Sequence, residues 1–83
     1  MVNVTIYSKK DCHLCDLARD TLIKIQQEFP FSITEIDIEK DKTAFDKYKY
    51  LIPVIEIDGE KVFKYSINEN ELKNILRRKY RSQ

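Results

Sequence analysis

The chain has 83 residues, which favours one domain over residues 1–83, because so short a chain rarely supports two hydrophobic cores. Lys and Arg number 15 against 14 Asp and Glu, and the formal net charge of +1 gives no reason to expect a nucleic-acid partner. With no apolar run near the roughly 18 residues of a membrane span and no export signal, we expect a cytoplasmic monomer without a membrane partner.

The first predicted strand and helix flank the two cysteines of the chain. Val2 to Tyr7 is rich in β-branched and apolar residues, which predicts a strand. Cys12 and Cys15 follow in the tetrapeptide Cys-His-Leu-Cys. Apolar residues then recur at three- and four-residue steps until Pro30, which predicts a helix with Asp11 as its N-cap.

The middle of the chain predicts a second strand and a short helix. The stretch from Phe31 to Ile38 is rich in β-branched residues, which predicts a strand. A predicted helix links it to the first strand, and such a crossover predicts that the two strands are parallel. Residues 39–50 are polar and compatible with a helix, in which Phe45 and Tyr48 would form a narrow apolar stripe.

A hairpin is predicted next. The strands Val54 to Ile57 and Lys61 to Tyr65 flank Asp58-Gly59, a dipeptide that readily adopts the positive φ angles of a tight turn. The two strands should therefore be antiparallel. The order of elements to this point is β-α-β-α-β-β.

The chain closes with one more predicted helix. Asn68 is a candidate N-cap, with Glu71 three residues later as its capping-box partner. The apolar stripe of this helix would consist of Leu72, Ile75, Leu76 and Tyr80. The basic residues near its end complement the helix dipole, so they need no nucleic acid to explain them.

The placement of the two thiols favours redox chemistry. A thiol at a helix N-terminus faces unpaired N–H groups and the positive end of the helix dipole, and both favour the nucleophilic thiolate. Cys12, first in the helix, would attack a disulfide, and Cys15, one turn further, would resolve the mixed disulfide. Two alternatives remain: a pair of buried thiols without chemistry, and a metal site. Tetrahedral zinc needs four ligands, so a metal would require a second subunit or an external thiol.

Four features in this order resemble glutaredoxins of the thioredoxin superfamily. They are the strand ending Tyr-Ser-Lys, the dithiol that opens a helix, the tripeptide Ile52-Pro53-Val54 and the Asp58-Gly59 hairpin. The pattern is most similar to short glutaredoxin-like proteins with Cys-His-Leu-Cys. The resemblance covers nearly the whole chain and implies an α/β thioredoxin fold, β-α-β-α-β-β-α, with a four-stranded mixed sheet and helices on both faces.

The resemblance also assigns roles around the dithiol. It implies that Pro53 follows a cis peptide bond in a loop beside the dithiol, which would expose the backbone of Ile52 to an extended substrate. Lys9 matches a lysine three residues ahead of the first cysteine, where it would favour the thiolate and meet a substrate carboxylate. His13 lies where the superfamily tunes redox poise, and its imidazolium form would stabilise the Cys12 thiolate. Tyr7 is a candidate for the substrate groove.

One segment departs from the family pattern. Glutaredoxins that use glutathione resemble each other in a Gly-Gly-x-Asp-like segment after the fourth strand, where backbone amides and a helix-terminal carboxylate hold the tripeptide. Here the segment is Lys64-Tyr65-Ser66-Ile67-Asn68, without glycine and without a carboxylate. Efficient glutathione binding is not expected from it.

The sequence thus predicts a thiol–disulfide oxidoreductase that reduces protein or low-molecular-weight disulfides. No bound cofactor is expected, and glutathione or a flavoprotein reductase would supply the electrons. The expected partners are a disulfide-containing protein and a reductase. Two other functions stay open: a redox-silent binding module of the same fold, and metal or iron–sulfur handling by a dimer bridged through Cys12.

Overall fold

A computed structural model describes residues 1–81 of the chain. Three helices and four strands follow one another in the predicted order, and a 3₁₀ turn precedes the second helix. The elements are β1 (Val2–Ser8), α1 (His13–Gln26), β2 (Phe31–Asp37), the 3₁₀ turn (Ile38–Lys40), α2 (Lys42–Tyr48), β3 (Val54–Ile57), β4 (Glu60–Lys64) and α3 (Glu69–Arg81).

The four strands form one mixed sheet in the order β2-β1-β3-β4. β1 and β2 are parallel, as the helical crossover predicts, whereas β3 is antiparallel to both β1 and β4. Tyr7 pairs with Val54, and Val54 pairs with Lys64. The end of β1, the start of β3 and the end of β4 therefore lie at the same end of the sheet.

Alternating side chains of the sheet separate the helices onto its two faces. Val4 and Ile6 of β1 are fully buried in the main core together with side chains of α1 and α3. Tyr7, of opposite parity, instead contacts Tyr48 of α2, with 4.8 Å between the ring centroids. Helices thus cover both faces, which confirms the predicted α/β architecture.

The helix α1 buries a narrower stripe than its apolar residues suggest. Ala18, Leu22 and Ile25 are buried against the sheet. Leu14 and Leu17 are 48% and 50% exposed, although they also belong to the apolar pattern. Two leucines therefore remain at the surface in the first turns of α1, next to the cysteines.

The helix α2 is shorter than the predicted 39–50, because its start is set by two carboxylates. Asp37 accepts the Glu39 N–H at 2.9 Å and ends β2, so the expected strand residue Ile38 lies in the 3₁₀ turn. Asp41 then caps α2 by accepting the Ala44 N–H at 3.1 Å.

The predicted apolar stripe of α2 is only half correct. Tyr48 is buried, but Phe45 is 39% exposed. The residue that shares the buried face with Tyr48 is Ala44, four positions earlier, as the period of a helix requires.

The hairpin between β3 and β4 turns at Asp58 and Gly59, as predicted. Both have positive φ angles, 51° and 85°, which match the twist of a two-residue hairpin. The Asp58 carboxylate accepts the Asn3 N–H at 2.9 Å and pairs with Lys79 at 3.0 Å, so the turn is tied to β1 and α3. Because β4 begins directly after the turn, it spans Glu60–Lys64, one residue earlier than predicted.

The helix α3 begins at the predicted N-cap, but only one half of the predicted capping box forms, because within residues 1–81 the Glu71 side chain accepts no hydrogen bond from the Asn68 N–H. The Asn68 side chain accepts the Glu71 N–H at 3.0 Å, which satisfies one of the unpaired donors of the first turn. Leu72 and Leu76 are fully buried, and Ile75 and Tyr80 pack against the core at its margin.

Neighbouring residues of α1 offer a test of the packing. Replacing the fully buried Leu22 with Ala should lower the free energy of unfolding by about 2–5 kcal/mol, because a cavity remains. The same truncation at Ile23, which is 47% exposed, should change it by less than about 0.5 kcal/mol. Urea unfolding of the two variants measures both values. Equal losses would contradict the placement of the core stripe on α1.

Candidate active site

The two cysteines lie where the chain passes from β1 into α1. Cys12 is the N-cap of α1, with φ −112° and ψ 103°, and its Sγ accepts the Cys15 N–H at 3.2 Å. The pair is joined as a disulfide with 5.2 Å between the Cα atoms. Cys12 is partly exposed, whereas Cys15 is fully buried. Of the two sulfur-bearing side chains, therefore, only that of Cys12 reaches the surface.

The prediction that Asp11 is the N-cap of α1 is wrong. Asp11 has a φ of 54°, in the left-handed region, and its side chain is exposed. An N-cap needs extended backbone to direct its side chain at the first amides of the helix, and Cys12 has that conformation. A sulfur thus takes the place at the helix start that an oxygen usually occupies.

The loop before β3 lies at the same end of the sheet as the dithiol. The Ile52–Pro53 peptide bond is cis, the geometry that the resemblance implied. Pro53 is buried and its carbonyl accepts the Tyr65 N–H at 2.8 Å, whereas Ile52 is partly exposed. Three segments therefore meet at this end: the turn into Cys12, the Ile52–Pro53 loop and the end of β4.

Lys9 and His13 are both exposed on the two sides of Cys12 in the sequence. Within residues 1–81 neither side chain makes a hydrogen bond or ion pair. Lys9 lines a shallow groove of about 470 Å³ that also includes Lys10 and Asp11 and extends toward β2. The side chains of Lys9 and His13 are thus accessible to a docking molecule.

A charged cluster that the sequence did not predict borders the groove. Glu35 of β2 accepts hydrogen bonds from the Arg19 guanidinium and from Ser8, the latter at 2.8 Å, and Arg19 also binds Asp16 at 2.8 Å. The bonds from Arg19, more than that from Ser8, hold the pKa of the Glu35 carboxyl below its usual value. Arg19 thus offsets two carboxylates beside the dithiol.

A second polar cluster lies under α2, on the other face of the sheet. The Tyr48 and Tyr7 hydroxyls donate to the two oxygens of Glu56, at 2.7 and 3.2 Å. Burial, together with the Glu56 charge, raises the pKa of each phenol to about 12. Tyr7, a candidate for the substrate groove, lines a small cleft of about 130 Å³ beside α2.

Among residues 1–81 no three His, Cys, Asp or Glu side chains are grouped so that they could hold a metal ion. No helix in the same range has the length and apolar character needed to cross a bilayer.

The chain is similar to proteins of a known family. The mixed four-stranded sheet with a Cys-x-x-Cys pair at the start of its first helix supports a thiol redox role. The family model described as "Glutaredoxin-like domain (DUF836)" matches residues 3–77. The chain therefore belongs to the glutaredoxin-like family. A curated relative, the "Glutaredoxin-like protein YDR286C homolog" of Dictyostelium discoideum, is 34% identical over 92 residues, which cover 99% of this chain and 85% of that protein.

Solved structures support the same fold. Protein Ne2328 from Nitrosomonas europaea matches with a TM-score of 0.80 and 19% identity, over 90% of this chain and 91% of that one. Mitochondrial thioredoxin 3 from Saccharomyces cerevisiae, in its oxidized form, matches with a TM-score of 0.69 and 17% identity, over 93% and 77%. The predicted thioredoxin fold is confirmed.

The cluster under α2 gives a testable alkaline pH dependence. Replacing Glu56 with Gln should move the phenol pKa values of Tyr7 and Tyr48 from about 12 part of the way back toward 10.0, since burial remains as the largest cause. Because the raised values belong to the folded state, the stability they contribute is full below pH 10 and is lost as the pH rises toward 12. The variant should lose less stability in that window.

Tyrosinate absorbance against pH measures these values, and Tyr48→Phe assigns one of the transitions. Glu60→Gln, at an exposed position of β4, is the matched control and should leave the titration curve unchanged. Identical curves for Glu56→Gln and the unsubstituted protein would contradict the role of Glu56.

Proposed function

We propose that this chain is a thiol–disulfide oxidoreductase that reduces protein or low-molecular-weight disulfides, with Cys12 as the nucleophile and Cys15 as the resolving thiol. The observation that carries the proposal is the position of the Cys12 sulfur. It caps α1 and accepts the Cys15 N–H at 3.2 Å, while Cys15 itself is buried. Both the N–H groups and the dipole of the helix favour negative charge on the Cys12 sulfur.

The reaction moves two electrons from the dithiol to the substrate. The Cys12 thiolate attacks one sulfur of the substrate disulfide, forms a mixed disulfide and releases the other sulfur as a thiolate, which takes up a proton. The Cys15 thiol loses its proton and attacks the Cys12 sulfur. The first substrate sulfur leaves as a thiolate, and Cys12 and Cys15 end as a disulfide.

The other predicted site residues would bind the substrate or tune the dithiol. An extended substrate would pair with the backbone beside Ile52 and Pro53, where strand addition tolerates many sequences. Lys9, exposed ahead of the dithiol, would meet a carboxylate of the substrate. His13 in its imidazolium form would favour the Cys12 thiolate and make the dithiol more oxidising.

The oxidised pair must be reduced again from outside. Two molecules of glutathione, or a flavoprotein reductase, would supply the two electrons without a bound cofactor in this chain. A reducing cytoplasm suits such a cycle, because most thiols there are kept reduced. The proposed partners are a disulfide-containing protein and a reductase. The chain would act as a monomer.

Two single substitutions test the roles of the thiols. The reduced protein is mixed with insulin, whose disulfides are the substrate, and the products are alkylated and weighed by mass spectrometry. Cys12→Ser should not react above the background, since the nucleophile is missing. Cys15→Ser should form a stable mixed disulfide between Cys12 and insulin, since nothing resolves it. The double variant is the control.

Other outcomes would point elsewhere. If Cys15→Ser formed no mixed disulfide and Cys12→Ser did, the two roles would be reversed. If the unsubstituted protein left insulin oxidised but carried zinc or an iron–sulfur cluster after purification, the dimeric metal-handling alternative would replace the proposal. If it did neither, the redox-silent binding module would remain.

A further inference from the structure

The residue that follows β4 has an unusual backbone conformation. Tyr65 has a φ of 69°, in the left-handed region that costs little for glycine but considerable free energy for a bulky side chain. Its ring is not held there by burial, because Tyr65 is 44% exposed. Within residues 1–81 its hydroxyl makes no hydrogen bond. The packing of the core therefore does not explain why this position carries an aromatic residue.

The neighbouring backbone fixes this conformation. The Tyr65 N–H donates to the Pro53 carbonyl at 2.8 Å, and the Ser66 N–H donates to the Lys64 carbonyl at 2.8 Å. The Lys64 ammonium lies 5.6 Å from the centroid of the Tyr65 ring. Strained residues of this kind persist only where the surroundings hold them, and they cluster at sites that bind ligands.

The ring stands at the end of the sheet that carries the dithiol. Lys64, directly before Tyr65, pairs with Val54, and Val54 pairs with Tyr7 near the end of β1. A second exposed apolar side chain at this end is Leu14, which lies between the cysteines in the sequence and is 48% exposed. Two exposed apolar side chains from different segments therefore lie at the end of the sheet that carries Cys12.

The same segment offers little to glutathione, which carries two carboxylates. The Tyr65 and Ser66 amides are already used inside the protein, and the Asn68 side chain occupies the Glu71 N–H at the start of α3. Glu71 places negative charge in the first turn of that helix, whereas the charge of Glu69 is offset by Lys24 at 2.9 Å. Because the amides are in use, this segment offers the carboxylates of glutathione few hydrogen-bond donors.

We propose that Tyr65 is a specificity-determining residue that selects protein disulfides over glutathione mixed disulfides. Its ring packs on an apolar side chain beside the disulfide of an extended polypeptide. This inference rests on the proposed function and names the substrate class of the same dithiol. It also explains why a tyrosine occupies this strained position, since a glycine at position 65 would relax the strain but remove the ring.

The test compares Tyr65→Gly and Tyr65→Phe with the unsubstituted protein. Each reduced protein is mixed with insulin or with the cysteine–glutathione mixed disulfide, and the rate of Cys12–Cys15 oxidation is read by alkylation and mass. Tyr65→Gly should react with insulin about tenfold more slowly, because an aromatic contact is lost, and should keep its rate with the small disulfide. Tyr65→Phe should keep both rates.

Thermal unfolding separates substrate recognition from a structural role. If the ring serves recognition alone, Tyr65→Gly should not lower the melting temperature, because relief of the positive-φ strain offsets the greater freedom of glycine in the unfolded chain. Asp58→Gly is a control for the rates: it places glycine at another left-handed position, at the opposite end of the sheet, and should leave both rates unchanged, while the loss of the Asn3 and Lys79 contacts should lower its melting temperature.

The outcomes keep the two proposals apart. An unsubstituted protein that oxidises with neither substrate contradicts the proposed function, and the inference falls with it. An active protein whose Tyr65→Gly variant slows equally with both substrates, or does not slow with insulin, overturns the inference alone. So does a Tyr65→Gly variant that melts at a lower temperature, which would mean that the ring stabilises the fold.

Discussion

The site depends on one interaction, the acceptance of the Cys15 N–H by the Cys12 sulfur at the start of α1. An oxygen of Ser, Thr, Asp or Asn normally satisfies a donor in this position. Because a sulfur occupies it here, the first amides of the helix and the positive end of its dipole are directed at the Cys12 sulfur. The fold holds this arrangement by burying β1 and the inner stripe of α1 on either side of the turn.

The charges around the dithiol also favour negative charge on the Cys12 sulfur. Asp16 directly follows the buried Cys15, and a free carboxylate there would oppose a thiolate. Arg19 binds both Asp16 and Glu35, so that much of this negative charge is offset locally. Lys9 and Lys10 add positive charge on the exposed side of the same groove. The balance near Cys12 is therefore more favourable to an anion than the sequence neighbours Asp11 and Asp16 suggest.

The sequence predicted those features that depend on local pattern. The four strands, the hairpin at Asp58-Gly59 and the Asn68 cap follow from alternation, turn chemistry and capping preferences that act over a few residues. The Asp11 cap was wrong because the choice between adjacent residues depends on backbone angles that the pattern does not report. The start of α2 was wrong because Asp37 and Asp41 each redirect the chain locally.

The clusters that the sequence did not predict join residues distant along the chain. Glu56 receives hydrogen bonds from residues 7 and 48, and Glu35 from residues 8 and 19. The sheet register and the packing of α1 and α2 on the two faces bring these side chains together, and no pattern of neighbouring residues signals it. The left-handed conformation of Tyr65 was hidden for a related reason: a tyrosine at the end of a strand carries no signal of positive φ.

The reduction potential of the Cys12/Cys15 pair tests the central claim most directly. The protein would be equilibrated in glutathione buffers of graded composition, alkylated and weighed. A working exchange dithiol should show a reversible two-electron couple between about −280 and −180 mV, the range from thioredoxin-like to isomerase-like proteins. Thiols that stay reduced throughout, or that oxidise only between two molecules, would contradict the account.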